Sequence, residues 1–188
     1  LVYDKTGSFS PINLTNLELW LDASDNTTIT ESGGSVSKWD DKSGNNRDAI
    51  QTTSNQQPTI TTYNGVQALN FDSGNRSNFT AECIQIGSSD SVIYVVLENA
   101  DATIPESQRI YCQQVGTGTK YGLLSDGSGS ASFINNDSFT GINAVYQSGK
   151  HVMIGYRNGA TGGVGYDGNF NTDTNVADTP IVDTCRIG

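Results

Sequence analysis

Turn residues recur along this chain at intervals of about ten residues, and the runs between them are short, β-branched and aromatic. That punctuation leaves little room for any fold but an all-β one. Thr59-Ile60-Thr61-Thr62-Tyr63 leads directly into Asn64-Gly65. Asn-Gly is the strongest two-residue hairpin signal, because both positions tolerate positive φ. Val66 to Phe71 is the returning strand, with Leu69 and Phe71 on one face. Further short strands are expected around Ala49 and Ile50, from Phe79 to Ile86, and over Arg109 to Val115, Lys120 to Leu124 and Ala131 to Ile134. Others are expected at Ala144 to Tyr146, His151 to Tyr156 and Val164 to Tyr166. Ser91 to Leu97 is the most continuously apolar run and is predicted to be a central strand with both faces buried. There is no internal repeat and no heptad, and the one helical hint is a turn at Pro105-Glu106-Ser107-Gln108. The expected fold class is all-β, a two-sheet antiparallel β-sandwich of jelly-roll type.

The most patterned stretch runs from Leu17 to Asn46 and holds both tryptophans, Trp20 and Trp39. Leu17, Leu19 and Leu21 alternate with polar residues, so Leu17 to Asp22 is predicted as a half-buried strand. Ala23-Ser24-Asp25-Asn26 reads as a turn, since short polar side chains there bond their own backbone. A second strand is predicted over Val36 to Asp40, closed by the turn Asp41-Lys42-Ser43-Gly44-Asn45-Asn46.

Leu19-Trp20-Leu21-Asp22-Ala23-Ser24-Asp25, followed by Val36-Ser37-Lys38-Trp39-Asp40-Asp41-Lys42-Ser43-Gly44-Asn45, resembles the opening of LamG-like jelly-roll domains, which belong to the concanavalin A-like lectin/glucanase fold group. The resemblance continues through Gln57-Pro58-Thr59 and Ala68-Leu69-Asn70-Phe71-Asp72. It extends weakly through Tyr166-Asp167-Gly168-Asn169 and Arg186-Ile187-Gly188. It implies one jelly-roll domain over 12–188, while residues 1–11, which lack a clean period, read as an arm or edge segment. It implies little about activity, because that fold carries lectins, hydrolases and structural modules alike.

At 188 residues the chain suits one all-β domain with a substantial core. A net charge of −10 argues against nucleic acid, which is held by Lys and Arg on phosphates. The same charge disfavours an anionic membrane surface, and no apolar run approaches the roughly 20 residues of a bilayer-spanning helix. Leu1 to Lys5 has neither Met nor the regions of a signal peptide. Arg186-Ile187-Gly188 reads as the start of a final strand, so a piece of a longer chain is expected. Cys83, Cys112 and Cys185 are odd in number and lack zinc-like spacing. One disulfide with a thiol, or three thiols, satisfies that count, and the apolar surroundings of Cys83 and Cys112 favour thiols.

Enzymes of the fold group that cut β-glucans carry Glu-x-Asp-x-x-Glu on one strand, which sets two carboxyl groups about 5 Å apart. Glu18, Glu31, Glu82, Glu98 and Glu106 have no such spacing. His151 is the sole histidine, and no G-x-S-x-G elbow accompanies it. Gly116-Thr117-Gly118-Thr119-Lys120 lacks the spacing of a phosphate loop and precedes a strand. No catalytic residue is expected, and the chain reads as a non-enzyme.

Calcium is the one cofactor the residues invite. Asp40, Asp41, Asn45 and Asp48 crowd hard oxygen atoms around Gly44, as calcium loops do. Lys42 among them departs from the EF-hand pattern, and Asx-turn bonding explains the same residues without a metal. Asp22 and Asp25 form a second, weaker candidate. Sugar contact would fall to exposed aromatics, for which Tyr63, Tyr111, Tyr146, Tyr156 and Tyr166 are available. The sequons at Asn13, Asn26, Asn75, Asn78 and Asn136 are no more than chance supplies in a chain this rich in Ser, Thr and Asn.

Domains of the resembled kind recur in bacteriophage structural proteins and bacterial surface proteins. The expectation is a virion-surface structural module (capsid decoration, head fibre or tail component), with other virion proteins or copies of itself as partners and glycan contact as an added capacity. The competing expectation is a secreted bacterial carbohydrate-binding or adhesion module, extracellular or on the cell surface.

Overall fold

The computed structural model describes residues 10–72, 74–82, 84, 89–99, 108–115, 118–125, 131–135, 138–142, 149–174 and 184–188. The chain is an all-β antiparallel sandwich protein. It divides into two compact units, Leu1–Ser77 and Asn78–Gly188, described in turn.

The first unit holds β1 (Ile29–Ser32), β2 (Ser35–Trp39), β3 (Ala49–Ile50), β4 (Thr59–Tyr63) and β5 (Val66–Asn70). Strand β2 is its hub. It pairs along one edge with β1, and along the other with β3 at Trp39↔Ala49 and with β4 at Ser35↔Thr59. Val36 and Ala49 are fully buried there. The β4–β5 hairpin forms as the sequence predicts, with Asn64 and Gly65 at φ +48° and +80°. Such left-handed turn pairs match the twist of the flanking strands.

Leu17 to Asp22 is not a strand, whereas Ile29–Ser32, just before β2, is one. The reason is local. Among the described residues one backbone bond, Lys42 N–H to the Trp20 carbonyl, joins this segment to the loop beside it. Side chains take the remaining places: Asn45 Nδ2 donates to the carbonyls of Leu17 and Glu18, and Arg47 Nη1 donates to Glu18. The leucines do alternate, but the carbonyls of Leu17 and Glu18 and the N–H of Trp20 are met by side chains and not by a ladder.

The second unit holds β6 (Phe79–Ala81), β7 (Ser91–Asn99), β8 (Gln108–Val115), β9 (Gly118–Ser125) and β10 (Ala131–Asn135). It continues with β11 (Ser138–Ile142), β12 (Gly149–Asn158), β13 (Thr161–Tyr166), β14 (Asn169–Asp173) and β15 (Thr184–Ile187). One sheet runs β11-β10-β9-β8-β15-β6 and the other β14-β13-β12-β7. They face each other, β9 and β10 against β12, and β10 and β11 against β13. Phe133, Leu123, Met153 and Val164 fill the space between. The approach is close enough to require glycine on β12. A Cβ at Gly155 would stand 2.6 Å from Phe133 Cδ2 and 2.9 Å from Leu123 Cδ2. A Cβ at Gly122 would meet the Tyr111 carbonyl oxygen and lie 2.8 Å from Cys112 Cα. Cys112 and Cys185 are buried as thiols on neighbouring strands.

The predicted central strand, Ser91 to Leu97, is an edge strand of the four-stranded sheet, and one of its faces is open. Ile93, Val95 and Leu97 alternate with Val92, Tyr94 and Val96, which are 51%, 53% and 79% exposed. A continuous apolar run therefore does not mean burial on both sides here. Cys83, the strand expected at Ala144 to Tyr146, the turn at Pro105 and most of the arm over residues 1–11 lie outside the described residues.

Candidate functional site

The acidic loop after β2 is densely hydrogen-bonded around Asp41. Asp41 Oδ1 accepts from the N–H groups of Trp20 and Ser43, both at 2.9 Å. Its Oδ2 accepts from the Ser43 hydroxyl at 2.7 Å and the Arg47 N–H at 3.1 Å. Burial would raise the pKa of this carboxyl, and those donors together hold it below its ordinary value. Asp48 Oδ1 accepts from the Asp41 N–H, and its Oδ2 lies 2.7 Å from Lys38 Nζ, which also reaches Asp40 at 2.7 Å. The Lys38 ammonium is the main reason the Asp48 carboxyl stays strongly acidic.

Beside it, Lys42 Nζ sits 3.0 Å from Asp22 and 2.8 Å from Asp25, with the Trp20 ring centroid 4.4 Å away. The bond from Lys42, followed by that from the Thr27 hydroxyl, holds Asp25 at about 2. The four proposed calcium ligands share a loop, but Asp40, Asp41 and Asp48 direct oxygen atoms at backbone N–H groups, the Ser43 hydroxyl and Lys38, and Asn45 directs its amide nitrogen at carbonyls. Lysine ammonium groups supply the positive charge that a cation would bring. Among the described residues no group of three or more His, Cys, Asp and Glu is placed to hold a metal.

His151 is buried on the inner face of β12. Its Nδ1 is 2.6 Å from Asp167 Oδ2, and its ring stacks on Tyr166 with centroids 4.7 Å apart. Asp167 occupies the β13–β14 turn at φ +47°, and its other oxygen accepts from the Val152 N–H at 3.0 Å. Bonds from His151 and then Val152 lower the Asp167 pKa. The pair ties a hairpin turn to the neighbouring strand.

The outer face of the four-stranded sheet is different in kind. Reading across the register, Tyr94, Ile154, Gly165 and Phe170 form one row, and Val92, Tyr156, Gly163 and Thr172 form the next. Val96 opposite Val152 begins a third. None of these residues is charged. The Glu98–Lys150 pair bounds the face at one end. At the other, Asp90 accepts from the Gly159 N–H at 2.7 Å. The two glycines are the floor on which rings lie. A Cβ at Gly165 would stand 2.5, 2.9 and 3.0 Å from Cε1, Cδ1 and Cζ of Phe170, and one at Gly163 would fall 2.7 Å from the Tyr156 hydroxyl oxygen, against the same ring. Rings covering glycine are a known way to protect bare strand backbone. Here Phe170 is covered beneath and still 56% exposed, so its other π face meets solvent.

Of the tyrosines available for sugar contact, Tyr111 and Tyr166 are core residues, Tyr63 is exposed on β4, and Tyr146 lies outside the described residues. Among the described ones, Tyr156 belongs to the outer face. Tyr94 and Phe170 were missed. The legible signal for them was glycine: Gly163 and Gly165, two residues apart in a strand, mark one face that needs cover from neighbouring strands.

No protein-family model matches the chain, and no curated protein matches it. Among solved structures, Trypanosoma rangeli sialidase in complex with 2-keto-3-deoxy-D-glycero-D-galacto-2,3-difluoro-nononic acid is similar at a TM-score of 0.50 and 15% identity, covering 86% of this chain. A second structure of that sialidase, a covalent intermediate with 2,3-difluorosialic acid, gives a TM-score of 0.49 at the same identity. The chain spans 26% of the length of the sialidase chain it matches. Likeness at this identity concerns the fold, which is all-β.

Proposed function

We propose that this chain is a non-catalytic docking module of the LamG-like kind, serving as a virion-surface structural component such as a capsid decoration, head fibre or tail module. The observation that carries the docking reading is the uncharged aromatic sheet face on a chain whose net charge is −10. Contiguous exposed apolar surface of this kind marks an interaction site. The resemblance of the Leu19–Asp25 and Val36–Asn45 motifs to LamG-like domains supports the setting. The carboxylates of the loop after β2 and the His151–Asp167 pair serve the chain's own backbone, which supports a role without turnover.

A secreted carbohydrate-binding or adhesion module is the second reading. The outward π face of Phe170 favours it. Sedimentation velocity, paired with a reducing-end assay on a polysaccharide panel, tests both. Concentration-dependent association without sugar release is expected of a virion component. A monodisperse monomer at every concentration would remove the virion setting and leave the secreted module. Sugar release would overturn the non-catalytic reading.

A further inference from the structure

We infer that the outer face of the β14-β13-β12-β7 sheet binds a neutral polysaccharide, whose pyranose rings stack on Phe170, Tyr156 and Tyr94. This deepens the docking reading and rests on it.

Three observations favour a sugar chain as the occupant. The first is ring attitude. Phe170 and Tyr156 are laid against Gly165 and Gly163, so Phe170 offers solvent a π face where most exposed rings offer an edge. The C–H face of a pyranose stacks on such a ring. The second is relief. A floor of glycine with rings laid flat has few knobs or holes, whereas protein interfaces rely on interdigitating anchors that fill pockets. The third is charge. The two central rows carry none, with Glu98 and Lys150 only at one end, and the chain as a whole is strongly acidic, which disfavours an anionic polymer.

The extent also fits a chain. Tyr94 and Phe170 stand at the two ends of one cross-sheet row, three strand spacings or about 14 Å apart at the backbone. Ile154 lies between them, and Tyr156 lies one row over. A short run of sugar rings crossing the strands would meet apolar contact throughout. The phenol hydroxyls and Thr172 stand along the way as partners for its hydroxyl groups.

The test is retention of the purified chain on microcrystalline cellulose, chitin and curdlan, with alginate gel as the anionic comparison. Saturable retention by at least one neutral polymer and none by alginate is expected. Phe170→Leu keeps an apolar side chain but removes the π face. It is expected to weaken retention on the order of tenfold, as is Tyr94→Ser, with both variants still folding cooperatively. Lys38→Met, on β2, is expected to leave retention as it was. Retention that survives both face substitutions would overturn the inference and leave the docking reading standing. No retention on any neutral polymer, with self-association that the face substitutions abolish, would have the same consequence. Neither retention nor self-association would overturn both.

Discussion

The loop after β2 and the outer face of the four-stranded sheet are opposites in how their chemistry is satisfied. Around Asp41, the carboxylates meet N–H groups, hydroxyls or ammonium groups of the first unit itself. On the outer face, Val92, Tyr94, Val96 and Phe170 turn large apolar surface to solvent. The acidic loop looks like a site in the sequence because Asp and Asn are functional residue types. The sheet face looks like core because valine, isoleucine and tyrosine are core residue types. The contrast is one of local chemistry: the loop's carboxylates are mostly met by donors from the chain itself, whereas the sheet face exposes large apolar side chains to solvent.

The largest effects should come from the scaffold. Gly122→Ala drives a Cβ into the Tyr111 carbonyl and is expected to destabilise the second unit by about 3 kcal/mol or to prevent its folding. Denaturant unfolding checks this. Asp41→Ala removes the acceptor of three backbone N–H groups and is expected to cost about 2–4 kcal/mol. Calcium should not rescue that variant, and chelator should leave the wild-type midpoint unmoved. A calcium-dependent rise in midpoint would break the contrast by making the loop a metal site after all.

A smaller effect should follow pH. Asp25 has its folded pKa depressed to about 2 from 3.8, and Asp22 is depressed in the same direction. For Asp22, burial opposes the shift and the bonds from Ser24 and Lys42 outweigh it. A carboxyl whose folded pKa lies below its unfolded value stabilises the fold above that unfolded value, and the stabilisation fades as pH falls through the folded one. The thermal midpoint should therefore drop between about pH 4 and pH 2. Lys42→Met should flatten that drop while lowering the neutral-pH midpoint by a few degrees at most, since exposed ion pairs and cation–π contacts contribute about 1 kcal/mol or less. An unchanged acid profile in Lys42→Met would show that the ammonium is not what holds these carboxylates.

The smallest stability effect belongs to the outer face. Val96→Thr at a position 79% exposed is expected to shift stability by less than about 0.5 kcal/mol. A loss of 2 kcal/mol or more would mean the face is packed, and it would remove the basis for docking.

Much of the strand layout was legible without coordinates. Asn64-Gly65 placed a hairpin because turn geometry is a property of two residues and their φ preferences. Thr59–Tyr63 and His151–Tyr156 were visible because a strand's identity is carried by its own side chains. Leu17–Asp22 misled for the complementary reason: whether an extended segment joins a ladder depends on what else bonds its backbone, and here Asn45 and Arg47 arrive from far along the chain. The same limit governs the candidate sites. The sequence by itself determined the all-β class, the acidity and the chemistry available in each loop, all of which depend on residue type and near neighbours. Only the tertiary structure decided that β7 lies at an edge with one face open and that rings from β12 and β14 cover glycines on β13. Those outcomes depend on which strands become neighbours, and sheet order joins residues that no local pattern connects.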